Sequence, residues 1–508
     1  MSDASTAAPS KAGKREWIGL AVIALPCLLY SMDLTVLHLA VPRLTEALAP
    51  SSVQLLWIID IYGFLLAGSL ITMGTLGDRI GRRRLLMIGA VFFGAASILA
   101  AFSRGAVMLI VSRAILGIAG ATIAPSTLSL IRNMFLDARE RTTAISVWIM
   151  AFSLGGAIGP ILGGVILQYF WWGAVFLVSV PVMVLLLSVG PVLLPEYRDP
   201  NPGRLDLVSA ALSLVAVLLI IYGLKLIAQD GVTLVSVASV ALGVTTGTLF
   251  VRRQRGLVSP LIDLRLFGIP AFRASLALYG GAILALFGAF LFLPQYLQLV
   301  LGLSPLAGGL WTLPWGIGFV LGSLVTPALA RRIRPAVLMS GGLALSAAGY
   351  FMLALLGTSR DFTLFAVATF VLTLFASPTF TLTNDVIIGS APPERAGAAS
   401  GISETCAELG GALGIALFGS IGVAIYRGLL ATNLPPGLSP DVTHAAMATL
   451  GGAISVAQRL PGDTASALVG AARAAFLRGL VVCQVISGVG TVVLAFVAWA
   501  TFRKRPVL

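Results

Sequence analysis

Long apolar runs separated by short polar segments dominate the chain. A helix needs about 20 apolar residues to cross a bilayer. The pattern places such spans near 17–41, 54–76, 85–103, 106–131, 142–168 and 172–194. Two more follow near 207–227 and 233–251, and six more near 271–298, 304–328, 336–357, 361–389, 396–425 and 477–502. The order is therefore six, two, six, an all-helical membrane protein of fourteen spans. Polar tails at 1–16 and 503–508 flank a six-helix bundle at 17–194, a two-helix segment with its loops at 195–270, and a second bundle at 271–502. The run from Trp17 to Val41 exceeds the 7–15 residues of a signal-peptide core and is expected to be retained. A long outer loop, 426–475, is rich in Ala, Gly and Pro. It reads either as an insertion or as a lid of two short helices, 443–458 and 464–478.

Composition agrees with a lipid solvent. The 508 residues are 58% hydrophobic and only 10% charged, well below the roughly 25% charged of soluble domains. The net charge of +13 does not point to nucleic acid, because the basic residues cluster between apolar runs. Of the 33 Lys and Arg, 24 fall in alternate loops and tails, such as Arg79, Arg82, Arg83 and Arg84, and only seven in the intervening ones. Basic loops stay on the cytoplasmic side. The alternation places both termini in the cytoplasm, with the protein multi-pass in the cell (inner) membrane. Cys27, Cys406 and Cys483 lie in apolar runs and form no disulfide framework. The sequence has no phosphate-binding Gly-Lys-Ser/Thr loop, no metal-spaced His or Cys cluster and no soluble domain. An enzyme, an ATP-driven pump, a metal site and an organic cofactor are therefore not expected, nor is an obligate protein partner.

Acidic residues inside apolar spans carry the candidate chemistry. Each costs about 2.5–3.5 kcal/mol at a helix centre on insertion scales and needs a reason to be there. Five qualify: Asp33, Asp60, Asp385, Glu404 and Glu408. Arg113 is the only cation deep enough to be an obvious partner, so most of the five are expected to lack a counter-ion. An unpaired acid in low dielectric can exchange protons near neutral pH, and an organic cation can compete with the proton for it. That competition is antiport in its simplest form, driven by about 2.3 kcal/mol per proton for each 100 mV. Asp33 and Glu408, nearest mid-span, stand first. Glu404, one turn from Glu408, and Asp60 come next. Asp385, four residues from the span end at Gly389, comes last and has an interfacial acid as its alternative reading.

Motifs sharpen the class. Gly74-Thr75-Leu76-Gly77-Asp78-Arg79-Ile80-Gly81-Arg82-Arg83-Arg84 resembles the loop signature of the major facilitator superfamily, and Leu329-Ala330-Arg331-Arg332-Ile333-Arg334 echoes it in the second bundle. Arg113 with Gly117 and Gly120 resembles the superfamily's fourth-helix motif. Gly155, Gly159-Pro160 and Gly163-Gly164 resemble the fifth-helix motif of its antiporters. Met32-Asp33-Leu34-Thr35-Val36 and Trp57-Ile58-Ile59-Asp60-Ile61-Tyr62 resemble the fourteen-helix drug/proton antiporters of the QacA and SmvA type. The resemblance implies proton-coupled export of lipophilic cations, namely quaternary ammonium compounds, biguanides and dyes. It also implies a gate at Asp78 and Arg82, with Asp78 facing a helix end or a basic partner. That family often carries an acidic pair where Ser403-Glu404 stands, so one acid is missing here. Small residues at every fourth position allow close helix approach, and Pro160 bends the helix. Tyr30, Trp57, Tyr62, Trp148, Trp311 and Trp315 can offer ring faces to a cation, with Trp57 equally suited to anchoring at an interface. A proton symporter for a cationic nutrient is the alternative.

Overall fold

The computed structural model describes residues 11–48, 50, 52–198, 206–257, 260–357 and 361–503. Its long helices are α1 (Lys14–Leu48), α2 (Ser52–Ile80), α3 (Arg82–Ala101), α4 (Ala106–Met134), α5 (Ala138–Tyr169), α6 (Ala174–Leu193), α7 (Leu207–Asp230), α8 (Leu234–Gly256), α9 (Pro270–Val300), α10 (Ala307–Ala330), α11 (Pro335–Ala354), α12 (Phe362–Ser390), α13 (Ala396–Ala431) and α14 (Gly462–Phe502). Among the described residues, thirteen are long and apolar enough to cross a membrane, and α5 joins them as a span bent by 43° between Gly156 and Ile161. Starts follow the local sequence. Asp137, Asp206 and Asp361 accept hydrogen bonds from the first-turn amides of α5, α7 and α12, and Pro270 and Pro335 open α9 and α11.

Packing within the first six helices recurs in the last six. α1 lies on α5, α2 on α4, and α3 on α4 and α6; α9 lies on α13, α10 on α12, and α11 on α12 and α14. The two halves meet along α2 with α13 and α5 with α10. Gly155 lets α1 touch α5, since a Cβ there would lie 2.1 Å from the Leu28 carbonyl oxygen. The α7–α8 hairpin is not a free appendage. Val217, Leu218 and Ile221 of α7 pack with Phe64 and Ala67 of α2 and with Leu409 and Ala412 of α13, covering that seam between the halves.

The loop at 426–475 differs from the sequence reading. α13 runs on to Ala431, and α14 begins at Gly462 rather than near 477. Residues 464–478 are therefore no second lid helix but the first turns of the last span. Nothing between Gly462 and Leu477 breaks a helix, because Ala and Gly replace the long apolar residues without ending the hydrogen-bond ladder. The other lid helix is split at Thr449 into Pro440–Ala448 and Leu450–Ala457. Tyr426 donates to the Ala446 carbonyl at 2.8 Å and Arg473 to that of Leu299 at 3.0 Å, so this loop is fastened to the second half.

Candidate translocation path

Glu404 and Glu408 lie eight and twelve residues into α13, about 12 and 18 Å from its basic end at 1.5 Å per residue. Glu404 is buried, and its Oε1 has no hydrogen-bond partner. Glu408 receives one hydrogen bond, from the Tyr30 hydroxyl of α1 at 3.4 Å, which crosses from one half to the other. Tyr30 sits edge-on to Phe152 at 5.0 Å, and Phe152 packs on Trp148 at 4.4 Å. The Trp148 indole N–H is spent on Thr127 at 2.9 Å, leaving an apolar aromatic wall beside the carboxylates.

The expectation that most span carboxylates lack a counter-ion is corrected, because three of the five are paired. Asp33 accepts from Arg113 at 3.1 Å, both side chains buried. The same guanidinium lies over the Tyr62 ring at 5.0 Å, so the protein's own cation already takes that aromatic face. Asp60 is ion-paired with Lys225 of α7, and Lys225 Nζ stands over the Phe64 ring at 4.7 Å. Asp385 accepts from Arg141 of α5 at 2.5 Å and from Thr142 at 3.2 Å. It is 5% exposed, so its reading as an interfacial acid gives way to a buried tie between the halves.

A second tie joins the halves at the same basic end. Asp78 of α2 accepts from the amides of Gly397 and Ala398, first-turn N–H groups of α13 that have no partner within the helix, at 3.0 and 2.9 Å. Arg82, fully buried, donates to Asp78 at 2.9 Å and to the Pro393 carbonyl across the gap. The expected partners of Asp78, a helix end and a basic residue, are both present. Gly74 and Gly397 make this approach possible: a Cβ on either would meet the other's carbonyl oxygen at 2.3 or 2.6 Å.

Sequence reasoning missed Lys225, Arg141 and Gly397. Lys225 stood at a span end and Arg141 in a loop cluster that charge alternation already explained. Of the remaining candidates, Trp57 is 42% exposed, Trp311 stacks on Phe362 at 4.8 Å and Trp315 packs on Phe290 at 5.0 Å. Gly159 is buried, on the face of α5 that carries Gly155. The Pro160 side chain lies outside the described residues.

The Major Facilitator Superfamily model matches residues 23–415. The chain belongs to that superfamily. Major facilitator proteins are transporters rather than enzymes, and this chain is a multi-pass membrane protein of that kind. It is 44% identical over 499 residues to the multidrug efflux pump LfrA of Mycolicibacterium smegmatis, covering 98% of this chain and 99% of that one. It is 35% identical to the methyl viologen resistance protein SmvA of Salmonella typhimurium, covering 96% and 99%. Among solved major facilitator structures, it superposes on the human organic anion transporter MFSD10 with a TM-score of 0.60 at 17% identity, covering 95% and 99%.

Proposed function

We propose that the protein exports lipophilic organic cations, including quaternary ammonium compounds, biguanides and dyes, in exchange for protons. The observation that carries this reading is the pair Glu404 and Glu408. Of the five candidate carboxylates, Asp33, Asp60 and Asp385 each have a basic side chain against them, and among the described residues these two have none. A buried acid without a counter-ion must take a proton or a cation. The aromatic wall of Tyr30, Phe152 and Trp148 gives an apolar cation a surface to bury. The likeness to LfrA and SmvA, an efflux pump and a resistance protein by name, supports outward transport.

The exchange runs as a competition. A cation reaching Glu408 supplies positive charge and releases the proton, and a proton arriving from outside later displaces the cation. Asp33 takes the second coupling role: protonation there loosens its bond to Arg113 and frees that guanidinium. On this reading the Arg-rich end faces the cytoplasm, and the ties at Asp78 and Asp385 shut that side. Ethidium efflux from energised cells tests the reading. Glu408→Gln and Asp33→Asn are expected to lose efflux at normal expression, and a protonophore is expected to abolish it in the intact protein. Full efflux in both variants would remove these residues from coupling, and uptake rather than efflux in vesicles would make the protein a symporter.

A further inference from the structure

The mechanism above leaves one intramembrane cation unused. Lys225 comes from α7, part of the hairpin that lies outside both six-helix halves. Its ammonium is bound to the Asp60 carboxylate and rests on the face of Phe64. A carboxylate and an aromatic face are the two groups by which proteins hold an organic ammonium. The Asp60 side chain is 14% exposed and that of Lys225 36% exposed, so the pair is not sealed in a core. Its position is also pointed. α7 packs in the seam between α2 and α13, against Leu409 and Ala412, the first next to Glu408 in sequence and the second one turn beyond it. The inserted helix thus brings a tethered amine to an acid near the substrate carboxylates.

We infer that Lys225 is a specificity-determining residue: a built-in competitor that occupies Asp60 and restricts the free negative charge of the path to Glu404 and Glu408. The inference rests on the reading of the chain as a cation exporter. While Lys225 holds Asp60, a substrate's second positive charge finds no second separate carboxylate. Without the amine, Asp60 becomes a second anionic anchor with Phe64 as its aromatic floor, and substrates with two separated charges gain.

The test compares export of monovalent tetraphenylphosphonium with that of a divalent bis-quaternary ammonium, dequalinium, in energised vesicles. Direct binding of both probes to the purified protein is measured alongside. Lys225→Met is expected to raise the ratio of divalent to monovalent export, and to tighten dequalinium binding, by roughly tenfold, the scale of one added charge contact in a desolvated site. Lys225→Gln is expected to do the same, which keeps the test open if the Met variant misfolds. Asp60→Asn/Lys225→Met is expected to return the ratio to its wild-type value, because the gain needs a free Asp60. An unchanged ratio in folded Lys225 variants, or a raised ratio that persists in the double variant, would overturn the inference while leaving cation export intact. Failure of the intact protein to move tetraphenylphosphonium would remove the exporter reading and this inference together.

Discussion

At the scale of single residues, the tightest constraint is where backbone meets backbone. Gly74 and Gly397 face each other across the two halves, and an added methyl at 74 would lie 2.3 Å from a carbonyl oxygen that cannot rotate away. Gly74→Ala must therefore push α2 from α13 and stretch the Asp78 bonds to Gly397 and Ala398. Export is expected to fall at least about tenfold, the cost of weakening one charge-assisted hydrogen bond, with the protein still folded. Gly63→Ala on the same helix meets nothing within 4 Å and is expected to leave export unchanged, as ethidium efflux can check. Arg82→Ala is more severe. It strips a buried carboxylate of its partner, a change that costs about 3–5 kcal/mol. Thermal unfolding in detergent is expected to show that loss, and Asp78→Asn/Arg82→Ala to recover part of it.

At the scale of elements, the spans were legible because lipid demands long apolar runs, and the acids were legible because each breaks one. Their partners were not, because pairing is set by packing between distant helices. Asp385 and Arg141 are 244 positions apart, and only the contact of α5 with the second half brings them together. The start of α14 was illegible for a different reason. Its first turns carry polar and charged residues such as Asp463, Arg473 and Arg478, so 464–478 reads as a separate short helix, whereas the structure runs it without a break into the last span. The connector after α8 was also silent in sequence. There Gln254 accepts from the Leu261 amide at 2.7 Å, Thr75 of α2 donates to the Leu261 carbonyl at 3.0 Å, and Asp263 pairs with Arg265 at 3.0 Å and with Arg395 at 3.2 Å. Partial burial alone would raise the Asp263 carboxyl, but the hydrogen bonds from Arg265 and the charge of Arg395 outweigh it and hold the group below its ordinary value. A depressed carboxyl contributes stability above its unfolded value and loses it as pH falls through the folded one. The stability gap between the intact protein and Asp263→Asn is therefore expected to stay constant from about pH 6 to 8 and to close below about pH 4, in thermal unfolding followed across pH.

At the scale of the whole molecule, the exporter reading requires the ties at the basic end to break in every cycle, since a carrier exposes its site to each side in turn. They are of two kinds. The Asp78 cluster joins α2 to α13 at one edge of the interface, and Asp385 with Arg141 joins α12 to α5 at another. Both weigh on one side of the same two-state equilibrium, so loosening either shifts the population without touching Glu404 or Glu408. Ser403, fully buried on α13 and donating to Asn384 at 2.8 Å, reports that shift, because it lies between these ties and Glu404. With Cys27, Cys406 and Cys483 replaced, a Ser403→Cys probe in inside-out vesicles is expected to react slowly with a membrane-impermeant maleimide. Adding Asp385→Asn is expected to speed that labelling about tenfold, the shift that follows from about 1.4 kcal/mol taken off the closed state. Arg141→Asp/Asp385→Arg, which restores the pair with reversed order, is expected to slow it again. If labelling is indifferent to both changes, the ion pair holds the fold and not the gate.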